Sequence, residues 1–212
     1  MEEFLTIAGA ATSEFTEKKS RFVSDIFPVQ TEEDVKACME LVRKKYHDAR
    51  HHCWCYRLKS GAVRYSDDGE PQGTGGLPVL DVLKKRGIGD AAIAVVRYFG
   101  GILLGAPGLV RAYSSSASLA VRAAGLVRMT PLAPVMVSVS YPLWGRLEAS
   151  APRFSVSSGQ PEYAEQVKCT FYVYPENTES AISAIADICS GKAECSLGDI
   201  RYFAVPVEEP GD

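Results

Sequence analysis

The sequence predicts an α+β protein of two domains. An N-terminal α/β domain spans residues 1–128, and a C-terminal ferredoxin-like βαββαβ domain spans 135–207. Three observations point there. Charge is unevenly divided: residues 1–128 hold 18 Lys and Arg against 15 Asp and Glu, a net of +3, whereas residues 129–212 hold 5 against 11, a net of −6. An apolar run at 91–96 has the length and character of a buried central strand. The second half reads as strand, helix, strand, strand, helix, strand, the split βαβ order of ferredoxin-like domains.

The elements follow in order. Residues 4–15 and 20–29 read as two strands separated by the polar run 16–19. Thr31 stands three residues ahead of Asp34, a capping-box spacing. It precedes Val35, Cys38, Met39, Val42 and Tyr46, which mark one apolar face of a helix. Residues 50–58 and 91–99 read as strands. Between them, a glycine-rich turn leads into a helix through Val79, Leu80 and Leu83. Pro107 suits the start of a further helix. Leu109, Val110, Tyr113, Ala117, Ala120, Val121 and Ala124 line its face, and Gly125 supplies its stop. Residues 130–134 carry two prolines and read as a linker. In the second half, 135–141 is a strand, 142–151 a helix, 154–158 a short strand and 168–173 an alternating strand. Residues 176–190 form a helix with Ile182, Ile185 and Ile188 or Cys189 inward, and 197–207 closes the sheet.

Composition excludes several classes. Hydrophobic residues at 46% and charged residues at 23% describe a globular chain, not a disordered or collagen-like one. No apolar run approaches the roughly 18 residues of a membrane-spanning helix. The start, Met-Glu-Glu, lacks the basic and apolar regions of a secretory signal. The six cysteines include no Cys-x-x-Cys pair, so they read as free thiols of a reducing cytoplasm. The expected location is cytoplasmic, without a membrane partner. Oligomeric state is not encoded in any pattern here.

Four clusters could carry chemistry. The first is His51-His52-Cys53-Trp54-Cys55-Tyr56. On a strand, His51, Cys53 and Cys55 share one face. They could hold zinc, but no second ligand pair completes a site, so the expectation is no metal and no cofactor. The second is 66–76, where Asp67, Asp68 and Glu70 crowd a loop rich in glycine. Gly73 and Thr74 could turn backbone N–H groups toward an anion at the next helix start. The third is Arg97-Tyr98-Phe99-Gly100-Gly101, with Arg111 on the following helix, a plausible phosphate contact. The fourth is a scattered basic set: Lys18, Lys19 and Arg21, then Arg43, Lys44 and Lys45, then Lys84, Lys85 and Arg86.

Taken in order, Lys18-Lys19-Ser20-Arg21-Phe22, Ala49-Arg50-His51-His52-Cys53, the 66–74 loop, and 96–101 through 108–113 strongly resemble the IMPACT/YigZ family, most closely its bacterial YigZ-type members. The resemblance implies a first domain with the fold of the second domain of a small-subunit ribosomal protein, followed by a ferredoxin-like domain. That pairing is similar to two consecutive domains of the translocase elongation factor. Eukaryotic relatives regulate translation by interfering with activation of a kinase that phosphorylates an initiation factor, partly through an extra N-terminal domain. No counterpart of that domain is expected here, so the expectation carried over is association with nucleic acid or the ribosome. The chain departs from the family pattern at Cys55, where a small residue is common, and at Ala106-Pro107, where Thr-Gly is more usual.

Two function classes follow. One is a non-enzymatic, translation-related module that binds RNA, the ribosome or a translation factor through Lys19, Arg21, Gly73, Thr74, Arg97, Gly100, Gly101 and Arg111. The other is a hydrolase with a cleft of His51, Cys53, Asp67, Asp68 and Glu70, Cys53 being the nucleophile.

Overall fold

The structure is a computed structural model and describes residues 1–207. The backbone forms two compact units. One comprises Phe4–Met129 with the segment from Ala204. The other comprises Met1–Glu3 and Thr130–Phe203.

The first unit runs β1 (Phe4–Ile7), β2 (Ala11–Glu17), β3 (Ser20–Pro28), α1 (Glu32–Lys45), β4 (His51–Arg57), β5 (Val63–Ser66), α2 (Gly76–Lys85), β6 (Ala91–Tyr98) and α3 (Gly105–Ala124). Five strands make an antiparallel sheet in the order β2-β3-β6-β4-β5. β6 is central, and residues 91–96 are fully buried, as its continuous apolar run requires. Opposite registers sort the two faces: Ile26, Ile93 and Cys55 align across the sheet. They pack under α2 and α3 with Leu80, Leu83, Ala117 and Val121. Val23, Ala94 and Val96 face α1 through Val35, Met39 and Val42.

Helix α1 starts where the sequence places it. Thr31 Oγ1 accepts from the Asp34 N–H at 3.1 Å, and Asp34 Oδ2 accepts from the Thr31 and Gln30 N–H groups at 2.9 Å each. These bonds hold the Asp34 carboxyl below its usual pKa. α3 ends at Gly125, whose φ of 68° suits glycine. Val110 turns outward, and the buried stripe runs through Leu109, Ala112, Tyr113 and Ser116 instead.

Several expectations are corrected. The span 4–15 is two strands, because the chain breaks at 8–10 and β1 pairs with the start of β7 (Leu126–Val139) rather than with β3. β5 is a four-residue exposed edge strand held by β4, too short for its alternation of Val63 and Tyr65 with Arg64 and Ser66 to stand out. Residues 130–134 are not a linker but part of β7. Leu132 and Ala133 are buried there, and both prolines sit in the strand.

The second unit takes its first strand from β7, followed by α4 (Tyr141–Ser150), β8 (Ser157–Ser158), β9 (Glu162–Tyr163), β10 (Val167–Val173), α5 (Thr178–Ile188), β11 (Glu194–Leu197) and β12 (Arg201–Pro206). The order β11-β7-β10-β8 is antiparallel throughout, which is the ferredoxin-like arrangement. The strand read at 154–158 shrinks to β8, because only Ser157 and Ser158 pair with β10. The span read as one closing strand at 197–207 is divided: β11 ends at Leu197 and β12 follows, and both pair with β7. Leu147, Phe171, Ile185 and Cys189 form the core. No helix of the described residues is long and apolar enough to cross a membrane.

Ile93 lies at the centre of β6 with no exposed surface. Truncation there, Ile93→Ala, is expected to cost roughly 2–5 kcal/mol, because the surrounding sheet cannot collapse onto the void; urea unfolding of the full chain measures it.

Candidate functional site

The 66–76 loop hangs between β5 and α2, and its three acids take three separate tasks. Asp67 turns inward. Its Oδ1 accepts from the Gly75 and Gly76 N–H groups at 3.0 and 2.9 Å, and its Oδ2 from the Gly73 N–H at 2.8 Å. A carboxylate at the start of α2 meets the unsatisfied N–H groups and the positive end of the helix dipole. The anion cradled by this glycine loop is therefore the chain's own Asp67. Thr74 is likewise occupied, its hydroxyl donating to the Pro71 carbonyl at 2.6 Å. Gly76 has no room for a side chain, since a Cβ would run into the Ser66 backbone.

Asp68 secures the start of β4. Its Oδ2 accepts from the His52 N–H at 2.7 Å, and its carbonyl oxygen lies 2.9 Å from His51 Nδ1. A proton on Nδ1 donated there leaves Nε2 as the acceptor of the ring.

Glu70 is the hub. It is 8% exposed, and its Oε1 accepts from Arg97 at 2.8 Å and from the Tyr113 hydroxyl at 2.9 Å. The loop is thereby joined to the end of β6 and to the middle of α3. Arg97 is also 8% exposed; its Cζ lies 5.7 Å from the Phe22 ring centroid and 5.5 Å from that of Phe99. Tyr113 meets Phe22 edge to face at 5.2 Å. Burial, the Cys53 thiol and Glu70 all push the Tyr113 hydroxyl far above its usual pKa, so it stays a proton donor.

Cys53 is fully buried. Its thiol donates to the Asp67 carbonyl at 3.0 Å, and burial pushes its pKa up to about 12. A thiol so protonated, without a base in hydrogen-bond contact among the described residues, is a structural tie rather than a nucleophile. Cys55 lies deeper still, in the α2–α3 core.

The basic residues gather elsewhere, around the loop between β6 and α3. Lys18 and Lys19 form the β2–β3 turn, both with left-handed backbone (φ 45° and 65°), unusual for lysines. That turn rests on Gly100, where any side chain would collide with the Lys19 backbone. The Gly100 N–H donates to Ser20 Oγ at 3.2 Å, fixing the contact. Gly101 follows with φ 81°. Lys18 and Arg111 line one recess of about 200 Å³ together with Leu104 and Gly108. Arg50, His51, Arg97, Phe99 and Leu103 line another of about 500 Å³. The exposed loop thus lies between two sets of cations and carries Phe99, 57% exposed, and Leu103, 83% exposed. Among the described residues, Lys18, Lys19, Arg50 and Arg111 make no ion pair. Arg21 does: it binds Glu14 at 2.9 Å and lies over the Tyr98 ring.

Of the residues singled out in the sequence, Lys19, Gly100, Gly101 and Arg111 share the loop surface, and Arg97 lies beneath it. Gly73 and Thr74 belong to the Asp67 loop, and Arg21 is paired. Lys18, Arg50 and Phe99 stood in the sequence clusters but not among the expected binding residues, and Leu103 was not singled out at all. Phe99 had a legible signal, a large ring placed beside two glycines.

Comparison with known proteins agrees with this architecture. Residues 18–121 match the Impact N-terminal domain, and 137–192 match a domain of unknown function, DUF1949. The IMPACT family member YvyE of Bacillus subtilis is 31% identical over 205 residues, covering 96% of this chain and 94% of that protein.

The chain belongs to the IMPACT family.

A second IMPACT relative, the family member YigZ of Escherichia coli, is 41% identical over 145 residues, covering 66% of this chain and 71% of that protein. A solved structure, described as a crystal structure of a hypothetical protein, shares 31% identity with a TM-score of 0.59. The match covers 99% of this chain and all of that one. Both matched domains fall where the fold changes character, and the first contains every residue of the Glu70 hub and the loop surface.

Removing the hub acid leaves a buried guanidinium without its partner. Glu70→Ala is expected to cost roughly 3–5 kcal/mol in urea unfolding, with Glu70→Gln costing less because both donors keep an acceptor. Thiol alkylation gives a second check. At pH 8, exposed Cys195 reacts while Cys53 stays unmodified, because almost none of it is thiolate that far below a pKa of about 12. Mass mapping after brief iodoacetamide treatment reads the order, and early labelling of Cys53 would contradict the assigned network.

Proposed function

We propose that this IMPACT-family protein is a non-enzymatic, translation-related binding module of the cytoplasm. It associates with RNA, including RNA displayed by the ribosome, through the loop surface of its first domain. One observation carries the reading. Four cations without ion pairs among the described residues, Lys18, Lys19, Arg50 and Arg111, surround a loop that holds the exposed Phe99 and Leu103. Cations track a phosphate backbone, and an exposed ring offers a base a stacking surface. The family resemblance supports the translation-related role. The charge division supports the choice of surface, since the first 128 residues carry a net of +3 and the remainder −6.

Arg97 contributes by supporting Phe99 from beneath rather than by direct phosphate contact, because Glu70 already holds it. The Gly73 donor likewise serves Asp67. The hydrolase alternative would need an accessible nucleophile, and Cys53 offers neither access nor thiolate.

The full chain titrated with a fluorescent single-stranded RNA tests the reading. Four phosphate contacts give a slope of log affinity against log salt of roughly −3, so affinity falls about 50-fold between 50 and 200 mM salt. Lys18→Ala and Arg111→Ala are each expected to make that slope shallower by roughly 0.7. No binding at 50 mM, or binding indifferent to salt, would reject the proposal.

A further inference from the structure

We infer that the recess beside Phe99 is a pocket for a single nucleotide: it takes one base against the Phe99 ring and the attached phosphate against the Arg50 guanidinium. The inference rests on the RNA reading for its choice of ligand, but its evidence is separate. The recess measures about 500 Å³, within the roughly 300–1,000 Å³ usual for small-molecule pockets. Its walls divide by chemistry. Phe99 and Leu103 are apolar and exposed, suited to a flat ring. Arg50 brings positive charge and donors, and the Arg97 guanidinium lies beneath, held by Glu70. The acid at its rim, Asp48, is engaged, accepting from the Tyr98 hydroxyl at 2.8 Å.

Arg97 supplies the second observation. It is more than nine-tenths buried and lines the recess, yet its Nε has no hydrogen-bond partner. It meets Glu70 through one nitrogen on Oε1, where a guanidinium commonly meets a carboxylate through two. Buried polar groups are satisfied in the great majority of cases. The Nε itself has almost no accessible surface, so Arg97 acts on the recess through its charge and by supporting the Phe99 ring. His51 has a different task. The Asp68 carbonyl orients its ring through Nδ1, which leaves Nε2 to accept from a donor on the ligand, such as a sugar hydroxyl.

A nucleotide monophosphate is the shared chemistry, and it has two sources: a free mononucleotide or the 5′-phosphorylated end of an RNA strand. Calorimetric titration of the full chain separates them. The probes are AMP, adenosine, inorganic phosphate, and an eight-adenosine oligoribonucleotide with and without a 5′-phosphate. AMP is expected to bind at least tenfold tighter than adenosine or phosphate, or the phosphorylated oligonucleotide at least tenfold tighter than its unphosphorylated twin. The first result names the free nucleotide, the second the strand end. Phe99→Leu and Arg50→Ala should each weaken that binding at least tenfold. Both positions are on the surface, so the fold survives. The inference is overturned if neither preference appears, or if phosphate alone binds as well as AMP. Salt-dependent binding of both oligonucleotides with neither preference would leave the RNA reading standing without the pocket. AMP binding with no oligonucleotide binding would leave the pocket standing without the RNA reading.

Discussion

The Glu70 carboxylate governs the first domain. It accepts from Arg97 on β6 and from Tyr113 on α3, with almost no solvent on any of the three groups. A buried ion pair is a poor source of net stability, since desolvation offsets the Coulomb attraction. Its value lies in geometry. Only one placement of the acidic loop satisfies both donors at once, so the loop, the end of the central strand and the longest helix are held in one arrangement. Phe99 then rides on the same guanidinium from the solvent side.

The glycines follow from that constraint. The loop must double back so that Asp67 can reach the start of α2, and Gly73 is left-handed while Gly76 presses on the Ser66 backbone. Gly100 permits the other close approach, bringing the double-lysine turn onto the loop after β6. The same residue type thus serves two ends. One glycine run buries a carboxylate belonging to the chain; the other holds cations at the surface. The first is closed to ligands, and the second is open.

This contrast sharpens what belonging to the IMPACT family means for this chain. The matched N-terminal domain contains a rigid interior hub and a cationic, partly apolar rim, two layers that meet at Arg97. The hub resembles an enzyme site by composition, with His, Cys, Asp, Glu, Arg and Tyr in proximity. Hydrogen bonding accounts for the acids: Asp67 caps a helix, Asp68 ties a strand, and Glu70 binds two donors. What remains for outside partners are the unpaired lysines and arginines, His51 Nε2 and the exposed ring.

The sequence by itself determined most of the fold. The capping pattern at Thr31, the buried run at 91–96, the Gly125 stop and the βαββαβ order are local signals, set by backbone geometry and by which face of an element is apolar. They needed no knowledge of distant neighbours. β5 and the division of 4–15 were illegible because edge pairing and a strand's choice of partner depend on what lies alongside, not on its own pattern. The prolines at 131 and 134 misled for a related reason: a strand tolerates proline wherever the ladder does not require that N–H. The candidate site divides similarly. Which residues carry charge, and that glycines punctuate them, was readable. Which charges cancel was not, because Glu70 and Arg97 are 27 residues apart and Glu70 and Tyr113 are 43. Only folding brings those groups within hydrogen-bond distance, and that meeting decides which cations are spent inside the protein and which stay free at its surface.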